Sequence, residues 1–157
     1  MRSAAADLAR TARLPAGERA LLLRAALLLP MAALALRALP LKVLLRLPDR
    51  PAGPGPAIPA ERIAALVEAA ALRVPFRVTC LHRALTLYSL LRRHGIEAEL
   101  VMGAAHAPAG LEAHAWVEHR GAALGGGTPT DTFAPLVHWP GRRLVSPASR
   151  APLTKEN

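Results

Sequence analysis

The stretch that decides the fold reads Leu111-Glu112-Ala113-His114-Ala115-Trp116-Val117-Glu118. Apolar and polar residues alternate along most of it, and a period of two is typical of a β-strand. One face of the predicted strand carries Leu111, Ala113, Ala115 and Val117, and the other carries Glu112, His114, Trp116 and Glu118. The strand therefore presents the imidazole of His114 on the face opposite to its smaller apolar side chains.

The one cysteine of the chain, Cys80, lies 34 residues before His114. Thr79 suits the N-cap position of a helix, and this places Cys80 in the first helical turn. The helix is predicted to end at Gly95, because glycine follows a basic run at residues 92–94. The sequence thus predicts a thiol at a helix start and an imidazole on a strand after it.

This placement suits a cysteine nucleophile. The thiolate is the attacking form, and the positive end of a helix dipole favours the anion. An imidazole can take the thiol proton and later protonate the leaving group, and first-turn N–H groups can hold an oxyanion. A buried cysteine that packs as a small hydrophobe is the alternative. We expect Cys80 to be the nucleophile and His114 its base.

The region around this strand predicts an antiparallel meander after the helix. In a first strand Ile96, Ala98, Leu100 and Met102 share one face. We expect a loop at Ala104 to Gly110, a turn at Arg120-Gly121 and a third strand near Ala122 to Gly125. A helix followed by such strands is an α+β pattern.

Residues 5–47 predict two or three helices, with Pro30 and Pro40 expected to kink or end them. Residues 48–59 are rich in Pro and Gly and predict a linker, and residues 60–73 predict another helix. The expected organisation is an N-terminal helical segment at 1–47, a linker at 48–59, the domain carrying Cys80 and His114 at 60–145, and a C-terminal tail at 146–157.

Two interpretations of the N-terminal helices stay open. Basic residues flank apolar ones between Arg19 and Arg46, which suits a peripheral membrane contact or a partner-binding element. A helical layer packed on the domain is favoured, because the downstream part alone is small. The longest uncharged piece, Ala25 to Leu36, contains Pro30 and has 12 residues, whereas about 20 are needed to span a bilayer. With no convincing targeting signal, we expect a cytoplasmic protein.

Composition narrows the class of protein. A length of 157 residues suits one domain with at most an appendage, and five aromatic residues leave Leu, Ala and Val to fill the core. One cysteine excludes an internal disulfide and a multi-cysteine zinc site. The net charge of +9 suits nucleic acid, anionic lipid or an acidic peptide, but no nucleic-acid-binding motif accompanies it. An arginine-rich solvated surface is the alternative.

The other histidines are weaker candidates. We expect His82 on the flank of the cysteine helix, His106 in a loop and His138 in the tail, and His94 and His119 near element ends. No pair has a convincing metal-ligand spacing with acids, so we predict no metal. Trp116 shares the face of His114, where it either shields the site or fills the core.

Three strings carry a family resemblance: Cys80-Leu81-His82-Arg83-Ala84-Leu85, then Leu90-Leu91-Arg92-Arg93-His94-Gly95-Ile96, then Ala113-His114-Ala115-Trp116-Val117-Glu118 with Gly121. Over about residues 10–137 the chain resembles the transglutaminase-like cysteine peptidase of lasso-peptide (microcin-type) biosynthesis, the leader-peptidase half of the B protein. The resemblance implies a transglutaminase/papain-like core that removes the leader from a ribosomal precursor peptide. It also implies two partners, an ATP-using macrolactam cyclase and, with no room upstream for a fused domain, a separate leader-recognition protein.

The resemblance assigns Cys80 as nucleophile and His114 as base, with no cofactor, and it implies an acid that orients the imidazole. That acid is usually an Asp on the strand after the histidine, and here the sequence departs because residues 125–127 are all Gly. The next acid onward is Asp131, which we expect to fill the role. Glu118 is on the same strand as His114, about 13 Å farther along it at ~3.3 Å per residue. This is too far for Glu118 to orient the imidazole directly. A related acyltransferase and a catalytically silent peptide-binding scaffold are the alternatives.

Overall fold

The computed structural model describes residues 14–46, 58–108, 110–125 and 130–140. Within them the helices are α1 (Ala16–Ala38), α2 (Leu41–Arg46), α3 (Ala60–Ala71) and α4 (Cys80–Arg93). The strands are β1 (Glu99–Ala107), β2 (Gly110–His119), β3 (Ala122–Leu124) and β4 (Ala134–Trp139), with a 3-10 turn at Thr130–Thr132. Residues 5–13 and 146–157 and most of the predicted linker lie outside the described residues. The predicted α+β class is confirmed.

The two prolines of the N-terminal helices behave differently. Pro30 was expected to kink or end a helix, and it does not end one, because α1 continues through it from Ala16 to Ala38. Leu29 and Ala32 are buried on either side of Pro30, so both halves of the helix pack into the core. Pro40 does end the helix, since Leu39 before it is extended at φ −129° and ψ 144°.

The helix that starts at the cysteine has the predicted limits. It begins at Cys80 and runs to Arg93. Gly95 has a φ of +70°, the left-handed conformation in which glycine commonly terminates a helix. The preceding helix ends at Ala71, two residues before the predicted limit.

The strands form one antiparallel sheet in the order β3-β2-β1-β4. The β2–β3 turn is as predicted, because His119 pairs with Ala122 across Arg120 and Gly121, both of which have positive φ. The predicted loop at Ala104 to Gly110 is wrong. Strand β1 continues to Ala107, which pairs with Gly110, so His106 lies in a strand rather than a loop.

Strand β4 corrects the prediction of a tail around His138. It pairs antiparallel with the free edge of β1, so that β1 lies inside the sheet. In a meander each strand pairs with the next strand in sequence, whereas β4 follows β3 in sequence but pairs with β1. His138 therefore lies beside Val101 on a strand.

One face of the sheet packs on the helices. Leu100 and Val117 from the sheet share a core with Leu29 of α1, Ile63 of α3 and Leu91 of α4, all nearly inaccessible to solvent. A salt bridge of 2.5 Å from Arg62 to Glu18 also joins α3 to α1. The inner face of α1 therefore forms the helical layer that the sequence favoured.

Candidate active site

Cys80 lies at a capped helix start. The N–H of His82 donates to Thr79 Oγ1 at 3.4 Å, and the Thr79 N–H donates to His82 Nδ1 at 3.1 Å. This reciprocal pair is a capping box, and it confirms Thr79 as the N-cap. His82 is therefore more than a flank residue, and its spacing of three from a threonine was the signal for that role. Partial burial lowers the pKa of His82, which favours the neutral ring that accepts this bond.

The backbone at this helix start offers hydrogen-bond donors beside the thiol. The first bond of the helical ladder joins the Arg83 N–H to the Thr79 carbonyl at 3.2 Å. The amides of Cys80 and Leu81 precede that bond, and first-turn amides have no acceptor within their own helix. They are suited to hold an oxyanion next to Cys80 Sγ.

His114 is held between two aromatic rings. On the β2 strand it pairs with Gly103 of β1. Its ring stacks on Trp116 at 6.0 Å between centroids with 18° between planes, and lies 5.0 Å from the Phe133 ring. Burial lowers the pKa of His114, and the opposing effect of Glu112 is smaller. The imidazole is therefore neutral at neutral pH and available as a base.

The position of Trp116 is itself determined by its surroundings. Its Nε1 donates to Glu118 Oε1 at 2.8 Å. A Cβ at Gly103 would lie 2.9 Å from the Trp116 ring and 2.7 Å from the Ala134 carbonyl oxygen, so only glycine fits without displacement. Trp116 is 7% exposed and fills a small core with Val101 and Phe133, and its ring also stacks on His114. That Trp116 shields the site stays a prediction.

The structure places Cys80 and His114 in the wall of the same cleft. The helix side of this cleft consists of Cys80, Ala84 and Leu87, one face of α4. Glu68 and Arg83 add a polar rim, with Arg83 Nε 3.7 Å from Glu68 Oε2. The cleft is small, with a cavity volume of about 70 Å³. Cys80 therefore borders this cleft from a helix start, and His114 borders it from the strand face that carries Trp116. A thiol and an imidazole are the two groups that cysteine-based acyl transfer requires.

Asp131, the predicted third member, is exposed in the 3-10 turn. Thr130 beside it lines the cleft, and the Thr130 carbonyl accepts the N–H of Phe133 at 3.0 Å. The turn therefore brings the Phe133 ring to His114, whereas Asp131 is exposed and is not among the residues that line the cleft. Phe133 had no signal in the sequence, because its contact with His114 depends on the turn.

A second polar cluster lies on the same face of the sheet, beyond Trp116. Donor atoms of Glu99, Glu118 and His138 all lie within 4.8 Å of one another, a set of two carboxylates and one imidazole that suits a divalent transition metal. Sequence spacing missed this cluster because its members come from three strands. Arg92 and Arg120 line the same pocket and also balance the carboxylate charge. The absence of a metal stays a prediction.

Comparison with known families agrees with this geometry. The family model described as the transglutaminase-like superfamily matches residues 19–138, more than half of the chain. The matched region includes Cys80, His114 and the four strands except for Trp139, the last residue of β4. Comparisons with curated proteins and with solved structures found no match.

Proposed function

This chain belongs to the transglutaminase-like superfamily, and from that membership we propose that it is a cysteine peptidase. The superfamily includes cysteine proteases and acyltransferases. The observation that carries the proposal is the cleft lined by both Cys80, at a capped helix start, and His114. A cysteine thiol becomes a reactive nucleophile when a base and the positive end of a helix dipole lie beside it.

The proposed reaction proceeds through an acyl-enzyme. His114 takes the proton of Cys80, whose Sγ attacks the carbonyl carbon of the scissile peptide bond. The amides of Cys80 and Leu81 hold the oxyanion, and the imidazolium of His114 then protonates the leaving amine as the C–N bond breaks. Water, deprotonated by His114, attacks the thioester and releases the acid, which restores the free thiol.

The proposed substrate is the bond between leader and core of a ribosomally made lasso-peptide precursor. Its support is the resemblance of the Cys80 helix and the His114 strand to the leader peptidase of that pathway. The proposal includes a separate leader-recognition protein and an ATP-using macrolactam cyclase as partners, a cytoplasmic location, and no cofactor or nucleic acid on this chain.

Asp131 stays the proposed acid of the triad. Its support is its place in the sequence next to Thr130, which lines the cleft. In this proposal the carboxylate moves toward His114 when a peptide fills the cleft, and the two aromatic rings orient the imidazole before that. Asp131→Asn should then lower kcat with little effect on KM.

The decisive experiment is mass spectrometry of the full chain mixed with its precursor peptide and leader-recognition protein. A leader-sized fragment should form with the native chain and disappear with Cys80→Ala and with His114→Ala. His106→Ala is the matched control, because His106 is exposed on β1 and should leave cleavage unchanged. Equal cleavage by the Cys80→Ala variant would refute the peptidase.

Two alternatives have their own readouts. An acyltransferase would pass the acyl group of Cys80 to an added amine in preference to water, and the product mass would report the amide. A silent peptide-binding scaffold would retain the precursor intact in every sample, including one that contains the cyclase.

A further inference from the structure

We propose that the outer face of α1 docks the protein on an anionic membrane surface. Four large apolar side chains are exposed along this helix: Leu23 (67%), Leu27 (63%), Met31 (55%) and Leu34 (67%). Their spacings of three and four place them on one side of the helix. We refer to these four residues as the outer stripe.

The outer stripe is not a by-product of core packing. The core face of the same helix is formed by Leu21, Leu22, Ala25, Leu29 and Ala32, which are buried. The stripe lies on the opposite side and extends about 17 Å at 1.5 Å per residue. A surface helix normally has a polar outer face, and contiguous exposed apolar patches on soluble proteins commonly mark an interaction site.

The charges around the stripe identify the partner. Within the described residues 14–46, the cations are Arg19, Arg24, Arg37, Lys42 and Arg46. The acid in that segment is Glu18, which pairs with Arg62 of α3. Apolar side chains bordered by arginines, on a chain with a net charge of +9, match the requirements of a bilayer with acidic headgroups.

The same charges disfavour a second copy of this chain as the occupant. Two outer stripes packed face to face would bring their bordering arginines together and bury few compensating acids. An anionic bilayer instead supplies negative headgroups beside the arginines and acyl chains beneath the leucines.

The helix also fits docking on the surface better than crossing the bilayer. Its length and its mean hydropathy of 1.8 over 18 residues are sufficient for a span. Its inner face, however, shares the core with Ile63 and Leu91 and carries the Glu18–Arg62 salt bridge. Crossing would require that core to open, whereas docking uses side chains that are already exposed.

The test is co-sedimentation of the full chain with vesicles of phosphatidylcholine alone or mixed with phosphatidylglycerol. We expect binding to the mixed vesicles, weakened by added salt, and little binding to phosphatidylcholine alone. The variant Leu23→Gln/Leu27→Gln/Leu34→Gln should bind on the order of tenfold more weakly or worse, because it lacks three leucines that would enter the bilayer. Arg24→Gln/Arg37→Gln should lose the preference for the anionic vesicles.

Leu72→Gln/Leu111→Gln is the matched control, since both leucines are exposed elsewhere, at 81% and 72%. This control should bind like the native chain, and circular dichroism should show that all variants fold. Absence of binding to the mixed vesicles, or equal binding by the stripe variant, would overturn the proposal. A dimer that the stripe variant dissociates, without vesicle binding, would assign the stripe to a second copy instead.

A second measurement is possible because the chain has one cysteine, which can be replaced so that a new cysteine is the one labelled. In a Cys80→Ser background, Leu27→Cys and Leu72→Cys can each be labelled with an environment-sensitive fluorophore. A blue shift at position 27 and none at position 72 on addition of mixed vesicles would support the proposed orientation. A larger shift at position 72 would contradict it. Neither measurement depends on peptidase activity.

Discussion

At the residue scale, His114 is oriented by packing. Trp116 and Phe133 hold the imidazole between their rings, and Glu118 fixes Trp116 through a hydrogen bond. Gly103 leaves the space that the Trp116 ring occupies. These ring contacts restrict the orientation of the imidazole, and they do so without a contribution from the glycines at residues 125–127.

Gly103→Ala should displace the Trp116 ring, which contacts His114. The added methyl would meet both the Ala134 carbonyl and the Trp116 ring, so we expect a loss of about 1–3 kcal/mol in the free energy of unfolding and slower peptide cleavage. Urea denaturation and kcat/KM measure the two effects. Ala122→Val, at an exposed position of β3, is the control and should change stability by no more than about 0.5 kcal/mol. Equal effects of the two substitutions would contradict this account.

The pH dependence of kcat/KM should reflect the environment of His114. Burial lowers the pKa of the imidazole, so the base stays neutral to a lower pH than an exposed histidine would. We expect the acidic limb of the profile below the usual histidine range. Trp116→Ala exposes the ring and should move that limb to higher pH, while Trp116→Phe should move it less. An unchanged limb in Trp116→Ala would argue against this role of burial.

At the element scale, the start of α4 joins a local folding signal to the chemistry of the site. The same turn that Thr79 and His82 cap carries the thiol and the two amides proposed to hold the oxyanion. Fraying of this turn would move all three groups together. Stability of the helix start and reactivity of the cysteine are therefore linked.

Thr79→Ala should reduce both properties. Loss of the N-cap is expected to lower the free energy of unfolding by about 1 kcal/mol, and the frayed turn should slow alkylation of Cys80 by iodoacetamide. Thr79→Ser keeps the hydroxyl and should restore both. His82→Gln retains an acceptor at the position where capping boxes use Gln, so it should resemble the native chain. A fully reactive Cys80 in Thr79→Ala would separate the cap from the chemistry.

At the scale of the whole molecule, α1 has one face in the core and one face exposed to solvent. Its inner face belongs to the core that α3, α4 and the sheet complete, and its outer face is exposed and apolar. The family match begins at residue 19, within this helix. The N-terminal helix is thus part of the folded unit that carries the site.

Substitution of one leucine on each face of α1 tests which face stabilises the fold. Leu29→Ala removes a side chain that is 0% exposed and should lower the free energy of unfolding by about 2–5 kcal/mol. Leu23→Ala, at 67% exposure on the same helix, should change it by no more than about 0.5 kcal/mol. Chemical denaturation of both variants measures the difference. Similar values would mean that α1 is not integrated into the core.

The sequence by itself determined the features that depend on near neighbours. The N-cap at Thr79, the glycine at residue 95 and the alternation through His114 each have a local cause, namely a cap, a left-handed terminus and a two-residue period. These were sufficient to place Cys80 at a helix start and His114 on a strand, on the face that also carries Trp116.

Only the tertiary structure decided the features that join distant segments. Pairing of β4 with β1 and the contact of Phe133 with His114 depend on how the chain returns after β3. The need for glycine at 103 depends on where the Trp116 ring packs. The physical reason is that these contacts are chosen by burial across the whole sheet, which residue spacing does not encode. For the same reason, α1 continues through Pro30, where local rules predicted a kink or an end.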